Sequence, residues 1–188
     1  LATIARIVCA PTLRKIKFSY TTERMDLVGD QPCLILMNHS SFTDMKLAYG
    51  IFYPKKLGIV TSVDAMTGIL GKLMRLLGCT PTHKYVTDIS LIKDIDYMLK
   101  ENKTSVLMYP EAGYSFDGCA TTLHRKMGVL MKRLGVPVVT VITEGAFHRD
   151  PLYNMLQIRK VKVSAHVKCI ATAEELKEKS VAESDAIL

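Results

Sequence analysis

The sequence predicts an α/β domain with a mostly parallel central sheet flanked by helices, because short apolar runs alternate with amphipathic stretches of helical length. Residues 33–37 and 138–143 are apolar runs of strand length, whereas residues 88–100 carry apolar side chains at helical spacing. The chain has 188 residues, of which 48% are hydrophobic, so it can bury one sizeable core. We therefore expect a single domain over residues 1–188, with functional loops at the ends of the strands.

The order of elements follows from periodicity and from turn residues. Residues 1–30 form an amphipathic and turn-rich start, whose amphipathic part over 4–18 is interrupted at Pro11. Residues 159–170 alternate between apolar and mostly basic side chains, which predicts a strand with one wet, basic face. The charged tail, 173–188, is expected to be a surface helix that frays toward its end. The remaining strands are predicted at 33–37, 57–61, 105–109 and 138–143, and the helices at 45–52, 64–77, 88–100 and 123–134.

The net charge of +7 predicts an anionic partner: a nucleic acid, an anionic lipid or a phosphorylated substrate. Nucleic acid is the weakest of these, because the sequence has no nucleic-acid-binding motif and no aromatic residues interleaved with its basic groups. Basic residues such as Lys72 and Arg75 interrupt the apolar stretches, so no membrane-spanning segment is predicted. The cysteines show no C-x-x-C spacing, which argues against a zinc site. Because the sequence starts at Leu1 rather than at Met, we expect a piece of a longer protein.

The most informative motif is the segment 38–44, Asn-His-Ser-Ser-Phe-Thr-Asp, directly after the first apolar strand. On a continuous helix, His39 and Asp44 would lie about 140° apart around the axis, which is too far for contact. They meet only if His39 lies in the loop after the strand and a Ser or Thr of the segment begins a helix with Asp44 in its first turn. Such a pair is a general base with its orienting carboxylate. The alternative is a set of capping residues beside a polar loop histidine.

A second polar loop, residues 109–118, follows another apolar strand and is expected at the same edge of the sheet. Gly113 and Gly118 permit close approach of the backbone to a ligand, and Glu111 is suited to bind a hydroxyl or a loop amide. The alternative is an ordinary glycine-containing turn in which Glu111 makes a structural contact.

Four blocks of the sequence together resemble the glycerolipid acyltransferase family, typified by 1-acylglycerol-3-phosphate acyltransferase. The first is Asn-His-x4-Asp at 38–44, and the third is Tyr-Pro-Glu-x-Gly at 109–113. The second block, 78–84, ends with Lys84 at the family's basic position. The fourth is the apolar block 136–141. The blocks occur in the order that is typical of the family.

The resemblance, which covers residues 34–141, implies a glycerol-3-phosphate acyltransferase-like fold and a membrane-associated enzyme of phospholipid biosynthesis. It implies transfer of a fatty acyl group from acyl-CoA or acyl-carrier protein to the hydroxyl of a lysophospholipid or glycerol phosphate. His39 is then the general base and Asp44 orients it, with no metal and no cofactor besides the acyl thioester as co-substrate. The substrate-binding residues that the resemblance implies are Asn38, Lys84, Glu111, Gly113, Tyr114 and Ser115.

The chain departs from the family at the acceptor site. Tyr114 stands where the family commonly has an arginine, so the guanidinium associated with the acceptor phosphate is missing. This leaves the acceptor open between lysophosphatidic acid, another lysophospholipid and another hydroxyl compound. Two other functions stay open: a lipid-binding or regulatory module of the same fold that has lost turnover, and a thioesterase-like hydrolase. We expect the domain to lie peripherally on the cytoplasmic face of a membrane with an anionic surface.

Overall fold

Helices lie on both faces of a seven-stranded sheet in the computed structural model, which describes residues 2–83, 89–119, 121, 123, 127–149 and 159–188. None of the helices in these ranges is long and apolar enough to cross a bilayer. The strands are β1 (Ser19–Glu23), β2 (Leu34–Met37), β3 (Leu57–Ser62), β4 (Cys79–Thr82), β5 (Ser105–Met108), β6 (Val138–Glu144) and β7 (Ser164–Ala171). The helices are α1 (Ala2–Lys15), α2 (Asp44–Phe52), α3 (Gly68–Leu76), α4 (Ile89–Lys100), α5 (Met127–Leu134), α6 (Ala146–Arg149), α7 (Ala173–Glu178) and α8 (Val181–Ala186).

The strands lie in the order β1-β7-β6-β2-β5-β3-β4, and every neighbouring pair is parallel except β6 with β7. This confirms the predicted α/β class with a mostly parallel sheet. β2 and β5 are neighbours although a long stretch of chain separates them, so their carboxyl ends lie side by side. The loops that leave these two strands therefore meet at one edge of the sheet, where parallel α/β folds bind their ligands.

The central strand β2 is buried on both faces, which explains why its sequence is a continuous apolar run. Ile35 and Met37 pack in the core on the side of α1 and α2, whereas Leu34 and Leu36 pack on the side of α4 and α5. Because successive side chains alternate between the faces, this short strand anchors both layers. The predicted strand at 33–37 is confirmed to within one residue.

The last strand is shorter than the sequence predicts. Alternation over 159–170 predicts a strand along the whole segment, but β7 begins at Ser164. Its antiparallel partner β6 ends at Glu144, which pairs with Ser164, so the ladder between the two strands ends there. Within β7 the alternation is confirmed, since Val167 is fully buried and His166 is exposed.

The segment after β3 contains a break that periodicity does not reveal. One helix is predicted over 64–77, capped at residue 62 or 64, whereas the structure has a 3-10 turn at Val63–Met66 followed by α3 with Thr67 at its N-cap. Gly68 has a φ of +60°, a left-handed conformation that interrupts the helical path. The prediction of one continuous helix is therefore wrong.

The N-terminal region also differs from the expectation. Pro11 is predicted to interrupt the amphipathic segment, but α1 continues through it. β1 pairs in parallel with β7 at one edge of the sheet, and no strand is predicted there. Its five residues are all exposed, so no apolar alternation marks them. β4, at the other edge, contains Pro81, a residue that is common in edge strands and weakens any strand prediction.

The charged C-terminal segment folds as two short helices rather than as a fraying tail. Each has a complete capping box, formed by Thr172 with Glu175 in α7 and by Ser180 with Glu183 in α8. Ser184 is fully buried, and α8 packs against α5. The expectation of a frayed end is therefore wrong, because this packing holds the segment on the domain.

Replacement of Gly128 tests the packing of α8. A Cβ atom at Gly128 would lie 2.6 Å from the carbonyl oxygen of Val181 and 2.8 Å from the backbone nitrogen of Asp185. We expect Gly128→Ala to lower the free energy of unfolding by about 1–3 kcal/mol, although alanine is the better helix former. Urea unfolding followed by circular dichroism measures the change. Val129→Ala, on the exposed side of α5, is the control and should stay within about 0.5 kcal/mol of the wild type. Equal stability of Gly128→Ala and the wild type would contradict this packing.

Candidate active site

His39 and Asp44 meet at the carboxyl edge of the sheet, in the connection between β2 and α2. Nδ1 of His39 lies 3.0 Å from Oδ2 of Asp44. His39 lies in the loop that leaves the strand, and Asp44 is the first residue of α2, with Thr43 at the N-cap. The structure therefore contains the loop and helix start that the spacing of the two residues requires.

The Asp44 carboxylate also shapes the turn in which His39 lies. Its Oδ2 atom accepts hydrogen bonds from the backbone N–H groups of Ser40 at 2.8 Å and Ser41 at 3.0 Å. The side chain is fully buried at the N-terminus of α2, where the helix dipole favours a negative charge. Burial raises the pKa of the Asp44 carboxyl, and the hydrogen bonds from His39, Ser41 and Ser40 oppose that rise. One carboxylate oxygen thus positions both the imidazole and the backbone that precedes the helix.

Two tyrosine rings stack on the imidazole of His39. The ring centroids of Tyr109 and Tyr114 each lie 3.7 Å from that of His39, with interplanar angles of 19° and 27°. Two rings cannot share one face at that distance, so they cover the two opposite faces of the imidazole. The side chain of His39 is accordingly only 15% exposed. Burial raises the pKa of Tyr109 well above its ordinary value, so its phenol stays protonated.

Tyr109 is a site residue to which the sequence assigns no role. It comes directly after β5, whose last residue, Met108, pairs with Leu36 of β2. A residue just past the end of a neighbouring parallel strand lies beside the loop that carries His39. The pairing of β2 with β5 is the signal that identifies Tyr109, and this pairing is visible only in the folded chain.

Glu111 and Ser115 brace the backbone of His39 from the second loop. Glu111 Oε1 accepts a hydrogen bond from the His39 N–H at 3.1 Å, and the Ser115 N–H donates to the His39 carbonyl at 2.7 Å. The other Glu111 oxygen accepts from the N–H and the hydroxyl of Thr121. The buried Ser115 hydroxyl accepts from the N–H of Gly118 within its own loop. The structure thus places these two predicted substrate-binding residues in contacts that hold the loops together.

The side chain of Asn38 links the end of β2 to β6, just past the last residue pair of the ladder between these two strands. Its Oδ1 accepts from the N–H of Thr143 at 2.8 Å and from the Thr143 hydroxyl at 3.0 Å, and its Nδ2 donates to the Thr143 carbonyl at 3.2 Å. Met37 pairs with Val141 in the ladder, so Asn38 continues this junction through its side chain. Asn38, predicted to bind substrate, thus positions the start of the loop that holds His39.

Gly113 is half-buried and has open space beside its Cα. A Cβ atom at Gly113 would meet no heavy atom of the described residues within 4 Å. Ala112, just before it, has a φ of +55°, so the turn holds a left-handed conformation at a residue other than glycine. A Cβ atom at Gly118 would lie 2.7 Å from the ring of Phe147, so close approach at Gly118 is to the protein itself. Lys84, the predicted phosphate ligand, lies outside the described residues.

Comparisons with known proteins give the family of this chain and a solved structure of similar fold. Residues 15–144, more than half of the chain, match the model of the Acyltransferase family. The chain belongs to the Acyltransferase family. Its fold resembles the crystal structure of PlsC from Thermotoga maritima, a 1-acyl-sn-glycerophosphate (LPA) acyltransferase, with a TM-score of 0.78 over 99% of this chain and 74% of that chain, at 15% identity. No curated protein matches the chain.

Membership of the Acyltransferase family confirms the resemblance drawn from the four sequence blocks. The likeness to PlsC confirms the expected fold. The region that matches the family model contains both loops around His39, so the geometry described above belongs to the acyltransferase part of the chain. The roles of the individual site residues stay predictions.

Removal of the Asp44 carboxylate is expected to destabilise this acyltransferase-family chain. Asp44→Ala leaves the N–H groups of Ser40 and Ser41 and the His39 ring without their acceptor. We expect the free energy of unfolding to fall by about 2–4 kcal/mol, which chemical denaturation measures. Asp94→Ala, an exposed aspartate of α4, is the matched control and should change stability by less than about 0.5 kcal/mol. A loss no larger than that of the control would show that the carboxylate does not hold the turn.

Proposed function

We propose that the chain transfers a fatty acyl group from an acyl thioester, acyl-CoA or acyl-carrier protein, to the hydroxyl of a lysophospholipid or glycerol phosphate. The observation that supports this most is the contact of His39 Nδ1 with Asp44, in an imidazole whose two faces are covered by tyrosine rings. This contact orients the ring and leaves Nε2 as the nitrogen that meets an acceptor hydroxyl. Membership of the Acyltransferase family supports the class of reaction.

His39 acts as the general base in the proposed reaction. Its Nε2 takes the proton of the acceptor hydroxyl while the hydroxyl oxygen attacks the carbonyl carbon of the thioester. The C–S bond of the tetrahedral intermediate then breaks, and the leaving thiolate takes the proton from the imidazolium, so that an ester and a free thiol are released. Asp44, bonded to Nδ1, stabilises the imidazolium between the two steps. Since a thioester is already an activated acyl donor, positioning and proton transfer are sufficient for this chemistry.

The acceptor is proposed to enter between the loops 38–44 and 109–118. Gly113, with open space at its Cα, supports a close approach of the acceptor to the backbone of the second loop. Lys84 is proposed to bind a substrate phosphate as a point charge. Asn38, Glu111 and Ser115 contribute by keeping the two loops in place. Asn38 bonds to Thr143 of β6, and Glu111 and Ser115 bond to the backbone of His39.

We also propose that the domain acts as a peripheral protein at the cytoplasmic face of a membrane, in phospholipid biosynthesis. In the proposed reaction a lysophospholipid acceptor and the product are lipids that reside in a bilayer. A net charge of +7 favours contact with an anionic membrane surface.

Replacement of His39 tests the mechanism. His39→Ala is expected to lower the rate of acyl transfer by about 100- to 10,000-fold, because the general base is lost while the fold is kept. The assay follows release of free thiol from acyl-CoA in the presence of a lysophospholipid, with a thiol-reactive chromophore. His166→Ala, an exposed histidine of β7, is the control and should retain wild-type activity. Full activity of His39→Ala would refute the proposed mechanism.

The same assay separates the proposed function from two other functions. Thiol release that is independent of any acceptor indicates a thioesterase-like hydrolase, in which water replaces the alcohol. Binding of lysolipid without thiol release indicates a lipid-binding or regulatory module. Thiol release that requires the acceptor, together with an ester product in mass spectrometry, supports the acyltransferase.

Tyr114 is expected to weaken selection for acceptors that carry a phosphate monoester, because its ring lies on His39 at a position where the family commonly has an arginine. Tyr114→Arg is expected to raise kcat/KM for lysophosphatidic acid, relative to lysophosphatidylcholine, by about tenfold through one charge-assisted contact. Tyr114→Phe retains a ring over His39 and should leave this ratio unchanged. If Tyr114→Arg left the ratio of the two kcat/KM values unchanged, the residue at position 114 would have no role in selecting the acceptor.

A further inference from the structure

Helix α3 carries an apolar ridge on its solvent side. Ile69, Leu73 and Leu76, together called the α3 ridge, are 87%, 50% and 65% exposed. They lie at positions i, i+4 and i+7, so they align within about 60° of arc around the helix axis. A contiguous row of exposed apolar side chains marks an interaction surface, whereas single exposed ones are ordinary.

The opposite side of α3 is the side that packs on the core, so the α3 ridge faces away from the core. Met74 packs against the core on the side of α1 and α2. Gly71 is buried, and a Cβ atom there would lie 1.9 Å from the carbonyl oxygen of Met66. The helix is therefore apolar on both of its sides, and the outer side faces solvent.

Two cations flank the α3 ridge. Lys72 and Arg75 are exposed, at about 60° and 120° from Ile69 around the helix axis, and both lie on the same flank. The helix contains no acidic residue. An apolar ridge with Lys and Arg beside it is typical of a helix that lies in the interface of an anionic bilayer. A second copy of the chain fits this face less well, because a symmetric contact would bring like charges together.

The position of α3 relates this face to the candidate active site. α3 follows β3, and β5, the parallel neighbour of β3, carries the loop 109–118 at the same end of the sheet. Phe42 and Phe116, in the two loops around His39, are also exposed. A bilayer that contacts the beginning of α3 therefore lies at the edge of the sheet that holds the site.

We propose that the α3 ridge docks the chain onto an anionic lipid bilayer. The ridge lies in the boundary between headgroups and acyl chains, and Lys72 and Arg75 contact anionic headgroups. The purpose of this docking, which is to bring a lipid acceptor to His39, rests on the proposed function, whereas the docking itself is measured without catalysis.

Vesicle flotation tests the docking. The 188-residue chain is expected to bind vesicles of phosphatidylglycerol and phosphatidylcholine in equal parts at least about tenfold more tightly than vesicles of phosphatidylcholine alone. The double variant Leu73→Asp/Leu76→Asp should lower binding to the anionic vesicles by about 100-fold, because it removes apolar contact and adds negative charge. Lys72→Gln/Arg75→Gln should lower it by about 25-fold, at about fivefold for each cation.

Matched variants on the other face of the sheet are the controls. Val129→Asp/Val181→Asp replaces two similarly exposed apolar residues, and Lys93→Gln/Lys177→Gln removes two exposed cations. Both are expected to bind vesicles like the wild type, with circular dichroism showing that every variant is folded. Equal losses in the control and α3 variants would overturn the proposal, since net charge alone would then explain binding. A dimer in sedimentation velocity that the variant Leu73→Asp/Leu76→Asp abolishes would also overturn it, because a second copy would then cover the ridge.

A soluble assay distinguishes failure of the docking from failure of the proposed function. With short-chain acyl-CoA and a lysolipid below its critical micelle concentration, Leu73→Asp/Leu76→Asp is expected to keep the wild-type rate. With the acceptor in anionic vesicles, its rate should fall in proportion to its binding. Flotation of the wild type without acyl transfer would leave the docking intact and refute the reaction. Acyl transfer without flotation would leave the reaction intact and refute the docking.

Discussion

The buried carboxylate of Asp44 is the contact on which the arrangement of the candidate site depends. A carboxylate without solvent exposure needs donors that compensate for lost water, and the amides of Ser40 and Ser41 and the ring of His39 provide them at Oδ2. These donors come from the turn before α2, and Asp44 is the first residue of that helix. Asp44 therefore holds the turn, the start of the helix and the orientation of the imidazole together, and its loss affects all three.

Strand order brings the second half of the site to this unit. The His39 N–H donates to Glu111, 72 positions away in the chain, because β2 and β5 are parallel neighbours. Tyr109 and Tyr114 belong to the same stretch that follows β5, and they cover the two faces of the ring. His39 is thus held by its own loop at one ring nitrogen and by the second loop at its backbone and faces. Such a residue is oriented before any substrate binds, which is what a positioned base requires.

Local patterns in the sequence predict the first of these two halves and place the loop 109–118 at the same edge of the sheet, but they do not predict that its tyrosines stack on His39. The apolar run of β2 and the spacing of His39 and Asp44 predict a loop that leads into a helix. The contact between His39 and Asp44 is local, because it joins residues five positions apart in the chain. The stacking of Tyr109 depends on which strands are neighbours, and periodicity carries no information on that. The sequence does not predict the packing of α8 on Gly128 either, because this contact is made largely through backbone atoms and needs no apolar side-chain pattern. The exposed edge strand β1 has no alternation either.

Tyr114 connects the geometry of the base with the proposed choice of acceptor. A guanidinium at this position would offer a fork of donors to a phosphate, whereas the Tyr114 ring lies 3.7 Å from the imidazole and packs on its face. One side chain cannot cover the ring of His39 and also reach out to a phosphate. In the proposed reaction, either another cation binds the acceptor phosphate, the role proposed for Lys84, or the acceptor needs no such contact. An arginine at position 114 that reached a phosphate would leave one face of the His39 ring uncovered, so stacking on His39 and contact with a phosphate exclude each other at this position.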